Sequence, residues 1–146
     1  MDIPAQRRFC ARHSDFPSIR NFVESVCTDF PHADRQRLVL IVEELFCNSV
    51  DHGYGGDCDQ PVWLALAPTA DGCRLVYQDA APAHDPFAAA RDPKLEADVE
   101  SRPVGGLGVF LIGQYCSSKR YERRDEHNVI DLFVPRDRPG SAAQSP

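Results

Sequence analysis

Two stretches near the start of the chain carry apolar residues at the spacing of a helix. Ser14 or Asp15 is suited to cap the first helix, and Pro17 fits its first turn, where a missing N–H costs no hydrogen bond. Pro31 is expected to end this helix. The apolar positions that would share its buried side are Phe16, Ile19, Phe22, Val23, Val26 and Phe30.

The second stretch combines an apolar face with a stripe of polar residues. Between a cap at Asp34 and a glycine breaker at Gly53, the apolar face consists of Leu38, Ile41, Val42, Leu45 and Phe46. Glu44, Asn48 and His52 follow at i, i+4 and i+8, so a regular α-helix would align them over about 12 Å. A carboxylate and a carboxamide one turn apart suit a general base or an oxygen ligand for Mg²⁺. A solvated helix face is the alternative explanation.

Strands are predicted where apolar and other residues alternate between turn signals. They fall at residues 7–11, 62–67, 73–79, 119–124 and 129–134. Asp71-Gly72 would form the turn of one hairpin, and Asp125 to Asn128 the turn of another. With a helical segment at 109–116, the element order is β-α-α-β-β-loop-α-β-β. This order predicts an α+β domain with helices on one face of a mostly antiparallel sheet.

Three glycines stand immediately before the late helical segment. Gly105, Gly106 and Gly108, with Leu107 among them, lead into residues 109–116. Glycine lets the backbone approach a ligand closely, and the free N–H groups at the start of a helix favour anions such as phosphate. A flexible turn into an ordinary core helix is the alternative.

A long connection joins the acidic strand end at Asp79 to these glycines. It spans about residues 80–104 and contains four prolines. Connections of this length are uncommon in compact domains and are usually functional or disordered. A mobile lid over a ligand is one interpretation, and a disordered insertion is the other. Residues 1–137 are predicted to form one domain, and residues 138–146 a disordered tail.

Composition narrows the class of protein. The chain has 146 residues, 42% of them apolar, and a net charge of −6, which makes nonspecific nucleic-acid binding an improbable main role. No run is long enough to span a membrane, and the N-terminus lacks the apolar region of a signal peptide. The six cysteines form no CxxC pair and no zinc-ligand spacing. We therefore expect a cytoplasmic protein with free thiols and without membrane or direct nucleic-acid contacts.

Taken together, the motifs resemble those of a known superfamily. The run EELFCNSVDHGYGG resembles the N-box of the GHKL (Bergerat-fold) ATPases, and DAAPAHDP resembles their first glycine box. GGLGVFLI and KRYERRDEHNVIDL resemble the second glycine box and the closing hairpin. The chain is most similar to the anti-sigma-factor serine/threonine kinases, and the resemblance covers nearly its whole length. It implies a two-layer α/β sandwich of the histidine-kinase-like ATPase type.

The resemblance implies a role for each matching residue. Glu44 would be the base for the substrate hydroxyl, and Asn48 would hold Mg²⁺. Asp79 would accept a hydrogen bond from the adenine amino group of ATP. The N–H groups of the glycine segment, which comprises Gly105, Gly106, Leu107 and Gly108, would stabilise phosphate charge. Asp51 and His52 would lie near the nucleotide, although His52 also suits a helix end, where the helix dipole favours a cation.

One position departs from the family pattern. Where the first glycine box usually reads Asp-x-Gly, this chain has Asp79-Ala80-Ala81. If glycine were needed there for close approach or positive φ, the Ala81 methyl would add strain of about 1 kcal/mol. The departure is either tolerated or a sign of weakened nucleotide binding.

The family resemblance also implies partners. These are a STAS-type anti-anti-sigma protein as the phosphorylated substrate, a sigma factor or other regulatory protein, and a second copy of the chain in a homodimer. The competing hypothesis is a partner-binding module of the same fold, with a structural nucleotide or none. The intact Glu44 and Asn48 favour the kinase, and Ala81 favours the module.

Overall fold

A computed structural model describes residues 5–87 and 112–137. Its centre is a five-stranded sheet in the order β1-β2-β3-β5-β4, in which every neighbouring pair is antiparallel. The strands are β1 (Ala5–Cys10), β2 (Pro61–Pro68), β3 (Gly72–Asp79), β4 (Ser118–Arg124) and β5 (His127–Pro135). The predicted α+β class and sheet are confirmed.

Two helices follow β1. Helix α1 spans Phe16–Val26 with Asp15 at its N-cap, and α2 spans His32–Asn48. Helix α1 therefore ends before Pro31, contrary to the sequence prediction. Phe30 is buried in the core from the connecting segment, so its apolar spacing continued the helical pattern without being helical. Residues 112–115 are also helical.

The prediction that Asp34 caps α2 is wrong. Pro31 occupies the N-cap, and Asp34 lies within the first turn, buried to 3% exposure. Its Oδ1 accepts hydrogen bonds from the Arg37 guanidinium at 2.8 Å and from the Asp137 backbone N–H at 3.1 Å. The carboxylate therefore holds the segment after β5 against α2, a long-range role that the local pattern does not reveal.

The core lies between the helices and one face of the sheet. Side chains alternate between the two faces along β3 and β5, and cross-strand partners on the two strands face inward together. These inward residues are Cys73, Leu75, Tyr77, Asp79, Asn128, Ile130, Leu132 and Val134, all of them buried. The helices contribute Ile19, Phe22, Val23, Leu38, Ile41, Val42, Leu45 and Phe46. The two polar members of the strand set, Asp79 and Asn128, are paired across the sheet.

The turn between β4 and β5 is tighter than predicted. Arg124 pairs with His127, so the turn consists of Asp125 and Glu126 alone. Both have positive φ, 53° and 64°, as a two-residue primed hairpin turn requires. Asn128, which the sequence pattern assigned to the turn, instead lies inside β5 with its side chain facing the core.

The sequence also led to expectations about membrane spans, free cysteines, a lid and a C-terminal tail. Within residues 5–87 and 112–137, no helix is long and apolar enough to cross a bilayer. Cys27 and Cys73 are buried, and Cys10, Cys47, Cys58 and Cys116 are partly buried. Most of the predicted lid and the whole of the predicted tail lie outside the described residues, so those two predictions stand as predictions.

Candidate functional site

The site forms where the C-terminal end of α2 meets the end of β3. After Asn48 the helix continues as a π-helix over Ser49–Gly53. π-helical turns are rare and occur frequently at functional sites. The regular α geometry that would align Glu44, Asn48 and His52 therefore holds only for the first two. His52 is exposed, and Ser49 is the residue that faces β3.

The Asp79 carboxylate occupies the centre of this junction. It is 8% exposed and ends the buried strand β3. The Ser49 hydroxyl donates to its Oδ2 at 2.5 Å, and the Asn128 amide donates to its Oδ1 at 2.8 Å. The backbone N–H of Ala81 also donates to Oδ1, at 3.2 Å. These contacts fix the carboxylate from a helix, a neighbouring strand and the following loop.

A second buried hydroxyl supports Ser49. Tyr77 is fully buried, and its hydroxyl donates to the Ser49 Oγ at 2.8 Å. Burial raises the pKa of Tyr77 well above its usual value of 10, so the phenol remains a neutral donor. Because Tyr77 donates to Ser49, the Ser49 proton is directed to Asp79. The result is a one-way chain of donors that ends at the carboxylate.

The number of Asp79 lone pairs already used by hydrogen bonds determines how many further donors the carboxylate can accept. An ionised carboxylate has about four lone-pair sites. Three are taken by the donors from Ser49, Asn128 and Ala81. One acceptor position is left, which matches a single N–H donor on a ligand.

A cavity adjoins Asp79. It is partly open, with a volume of about 30 Å³, and its lining includes Asn48, Ser49, Gly53, Ala81, Pro82 and His84. The end of α2, the end of β3 and the loop after β3 therefore meet at one cavity.

Ala81 packs against the end of the π-helix. Its side chain is 1% exposed, and a Cβ placed on Gly53 would lie 2.9 Å from the Ala81 Cβ. Ala81 is not among the residues with positive φ, so the methyl causes no backbone strain. The smaller residue of this contact is Gly53, on the helix side. The structure therefore favours the tolerated-variation interpretation of Ala81.

Glu44 and Asn48 lie one turn apart on the last part of α2. Both are partly buried, and Asn48 lines the cavity beside Asp79. Burial, and secondarily the charge of Glu43, raise the pKa of Glu44 above its ordinary value of 4.5. A carboxylate with a raised pKa is a better proton acceptor once ionised, as a general base requires.

The other predicted site residues are less closely associated with the cavity. Asp51 and His52 are exposed and do not line it. Asp51 contacts the His13 ring at 2.7 Å, and this hydrogen bond raises the pKa of His13 above 6.5. The glycine segment, residues 105–108, lies outside the described residues. Proximity of any of these to a nucleotide stays a prediction.

Three residues around Asp79 were not predicted from the sequence to belong to the site: Ser49, Tyr77 and Asn128. For Ser49 a usable signal existed, since it continues the apolar face of Val42, Leu45 and Phe46 at helical spacing. For Asn128 a usable signal existed, since alternation with Ile130, Leu132 and Val134 places it on the inward face of β5. A polar residue in that row needs a buried partner, and Asp79 is directly opposite.

The chain resembles known proteins in both sequence and fold. The family model described as "Histidine kinase-like ATPase domain" matches residues 9–134. Among solved structures the chain is similar to Acinetobacter baumannii histidine kinase AdeS, at 12% identity and a TM-score of 0.47, covering 92% of this chain and 68% of that one. Curated proteins gave no significant match. The family match includes Glu44, Asn48 and Asp79.

Proposed function

The chain belongs to the histidine kinase-like ATPase family, and on that premise we propose that it is an ATP-dependent serine/threonine protein kinase of the anti-sigma-factor type. Membership in an ATPase-domain family implies nucleotide binding. The finer assignment is supported by one observation above the others: a carboxylate with a raised pKa, Glu44, one helical turn from an amide, Asn48, that borders the Asp79 cavity.

Adenine recognition is assigned to Asp79. Its carboxylate lines the cavity and retains one acceptor position after three intramolecular donors are counted. The exocyclic amino group of adenine donates a hydrogen bond, whereas the oxo group of guanine at the same position accepts one. An acceptor therefore favours ATP over GTP at this site.

Metal and phosphate binding are assigned to Asn48 and the glycine segment. Carboxamide oxygen is a suitable ligand for Mg²⁺, which typically keeps waters and phosphate oxygens as its other ligands. Within the described residues, no group of three or more His, Cys, Asp or Glu side chains is placed to hold a metal ion. A site built from Asn48 together with the phosphates is consistent with this arrangement. Bound Mg²⁺ would neutralise phosphate charge.

Glu44 is assigned as the group that accepts the proton of the acceptor hydroxyl. A serine or threonine hydroxyl is a weak nucleophile until a base removes or orients its proton. The carboxylate of Glu44 is partly buried, which raises its basicity relative to an exposed glutamate. In this mechanism the hydroxyl oxygen bonds to the γ-phosphorus, its proton passes to Glu44, and ADP departs.

The proposed substrate is a STAS-type anti-anti-sigma protein, and the proposed second partner is a sigma factor or other regulatory protein. Phosphorylation of the antagonist would decide which partner the kinase holds. A homodimer is part of the same proposal. These partners follow from the resemblance of the three motif segments around Glu44, Asp79 and residues 105–108 to those of anti-sigma-factor kinases.

Calorimetric titration with ATP and ADP, with and without Mg²⁺, tests nucleotide binding directly. Asp79→Asn should weaken ATP binding about ten- to a hundredfold, because a hydrogen bond to a charged group is worth about 1.5–3 kcal/mol. Asp29→Asn, at an exposed position between α1 and α2, serves as the charge-matched control. If Asp79→Asn and the parent bound ATP equally, Asp79 would not be part of the nucleotide site.

Phosphoryl transfer is tested separately from binding. Glu44→Ala should leave ADP affinity within a few-fold of the parent and abolish phosphorylation of a STAS-type antagonist, because the base acts in the transition state. Glu43→Ala, which removes the adjacent carboxylate on the same helix, is the comparison variant and should retain phosphoryl transfer at a pH well above the pKa of Glu44. Equal transfer rates for the parent and Glu44→Ala would remove the catalytic assignment.

The alternative is a partner-binding module in which the nucleotide is structural or absent. The feature that favours it is the sequence Asp79-Ala80-Ala81, which departs from the family's Asp-x-Gly pattern. This module would show little ATP binding in the calorimetric titration, or binding without transfer. The kinase hypothesis requires both ATP binding and phosphoryl transfer.

A further inference from the structure

Asn128 forms a buried connection between Asp79 and the outermost strand of the sheet. It is 4% exposed and lies on β5, between β3 and β4. Every polar atom of its side chain is engaged, and the two ends of the amide face different sets of partners. The family roles assigned above do not include this residue.

The amino end of the Asn128 side chain faces acceptors only. Nδ2 donates to Asp79 Oδ1 at 2.8 Å, to the carbonyl of Pro82 at 3.0 Å and to the carbonyl of Ala81 at 3.2 Å. Asn128 thus holds both the carboxylate and the first residues of the loop that follows it. These are the groups that border the cavity.

The carbonyl end faces donors only. Oδ1 accepts from the Tyr121 hydroxyl at 2.5 Å, the His84 backbone N–H at 3.1 Å and the Arg123 guanidinium at 3.2 Å. If the amide were rotated by half a turn, its oxygen would face the Asp79 carboxylate and its NH₂ would face these donors. The partners therefore determine the amide orientation.

Tyr121 makes the shortest of these contacts, from the edge strand β4. Its hydroxyl keeps the Asn128 oxygen turned away from Asp79 and the NH₂ group turned toward it. The carboxylate then keeps a fixed rotation, with Ser49 on one oxygen and Asn128 on the other. The remaining acceptor position points in a defined direction only while this arrangement holds.

We propose that Tyr121 and Asn128 are positioning residues that set the base selectivity of the nucleotide site by fixing the acceptor direction of Asp79. This inference rests on the proposed nucleotide binding and assigns a role to two side chains that do not themselves need to touch the base. The ligand feature that they select is an N–H donor on the six-membered ring of a purine.

Two probes separate this role from a general structural one. ATP carries the exocyclic amino group, and purine riboside triphosphate lacks it but is otherwise the same. The parent should bind ATP at least about tenfold more tightly than the analogue, because the analogue leaves the buried acceptor unpaired. Asn128→Ala should lower ATP affinity about tenfold and leave analogue affinity within about twofold, so that the ratio approaches one.

Tyr121→Phe provides a milder version of the same test. It removes only a hydroxyl, and should reduce the ATP-to-analogue ratio about threefold without changing analogue affinity. The matched control is Tyr115→Phe, whose ring contacts Arg37 near the other end of α2. The control should leave the ratio unchanged. Denaturation midpoints of all variants report folding independently, and Tyr121→Phe decides the question if Asn128→Ala is unfolded.

The outcomes are distinguishable. A parent that binds neither nucleotide contradicts the proposed function and this inference with it. A parent that prefers ATP, with variants that weaken both nucleotides equally, contradicts only the inference, because a structural role would affect both. A loss confined to ATP in Tyr121→Phe and Asn128→Ala, and absent in Tyr115→Phe, supports it.

Discussion

An exchange of one methyl group across the Ala81–Gly53 contact tests whether Ala81 is an accommodated residue. The three variants are Gly53→Ala, Ala81→Gly and the double substitution. Gly53 does not have positive φ, so its backbone accepts alanine, and the only obstacle is the Ala81 Cβ at 2.9 Å. The double variant moves the methyl from the loop to the end of the π-helix while keeping the packed volume constant.

The expected magnitudes follow from packing and chain entropy. Gly53→Ala adds a methyl to a filled contact, which costs about 1–3 kcal/mol of stability. This cost outweighs the stabilisation of about 0.4–1 kcal/mol that comes from the lower entropy of the unfolded chain. Ala81→Gly removes a buried methyl worth about 0.8 kcal/mol and adds chain entropy of similar size to the unfolded state. Each single variant should therefore lose about 1–2 kcal/mol, whereas the double variant should lose less than about 1 kcal/mol.

Urea denaturation of the four proteins gives the free energies of unfolding and the coupling between the two sites. A coupling of at least about 1 kcal/mol in favour of the double variant is expected. Additive losses would show that the two residues do not share the contact. ATP titration of Ala81→Gly adds a second readout: unchanged affinity is expected, and tighter binding would mean that the methyl does obstruct the nucleotide.

Three further predictions concern titration and the hairpin turn. The rate of phosphoryl transfer should rise with pH through the pKa of Glu44. Glu43→Gln removes the neighbouring charge that helps to raise this pKa, so it should move this acid limb of the pH profile to lower pH. An acid limb that does not move would contradict Glu44 as the base. The pKa of His13 is raised in the folded state, so its contact with Asp51 stabilises the fold fully below pH 6.5 and loses its effect as pH rises through the raised pKa. Both groups are about half exposed, so His13→Gln should cost only about 0.2–1 kcal/mol at about pH 5.5 and nothing at about pH 8.5, as measured by urea denaturation. Glu126→Gly should raise the denaturation midpoint, because a glutamate at φ 64° carries about 1 kcal/mol of strain that glycine lacks; an unchanged or lower midpoint would mean that entropy of the unfolded chain outweighs the strain.

The helices and strands were predictable because residues that face the core recur at the spacing of the element that carries them. The predicted strand at 73–79 appears as Gly72–Asp79, and that at 129–134 as His127–Pro135. The predictions were wrong where a buried residue belongs to a different element, or has a different partner, than its local spacing indicates. Phe30 reaches the core from a loop, and Asp34 is fixed by partners in the chain after β5. Local patterns do not contain such long-range contacts.

The candidate site was predictable for residues on one regular element and not for those brought together by tertiary contact. Glu44 and Asn48 share one helix, so spacing alone placed them. Helical spacing places Ser49 on the buried face, but it does not reveal that its partner is Asp79 at the end of β3. Asn128 is separated from Asp79 by 49 positions and meets it through the β3–β5 pairing.

The chemistry of the groups around Asp79 also restricts the kind of ligand that can complete its coordination. Among the described residues, its hydrogen-bond donors are a hydroxyl, a carboxamide and a backbone N–H, all of them neutral. Mg²⁺ requires near-octahedral coordination by oxygen ligands, and after these three donors Asp79 has only one lone pair left to offer. A single N–H donor needs only that one lone pair. The remaining acceptor of Asp79 is therefore better matched to the amino group of a base than to a metal ion, which supports the proposed assignment of adenine to Asp79.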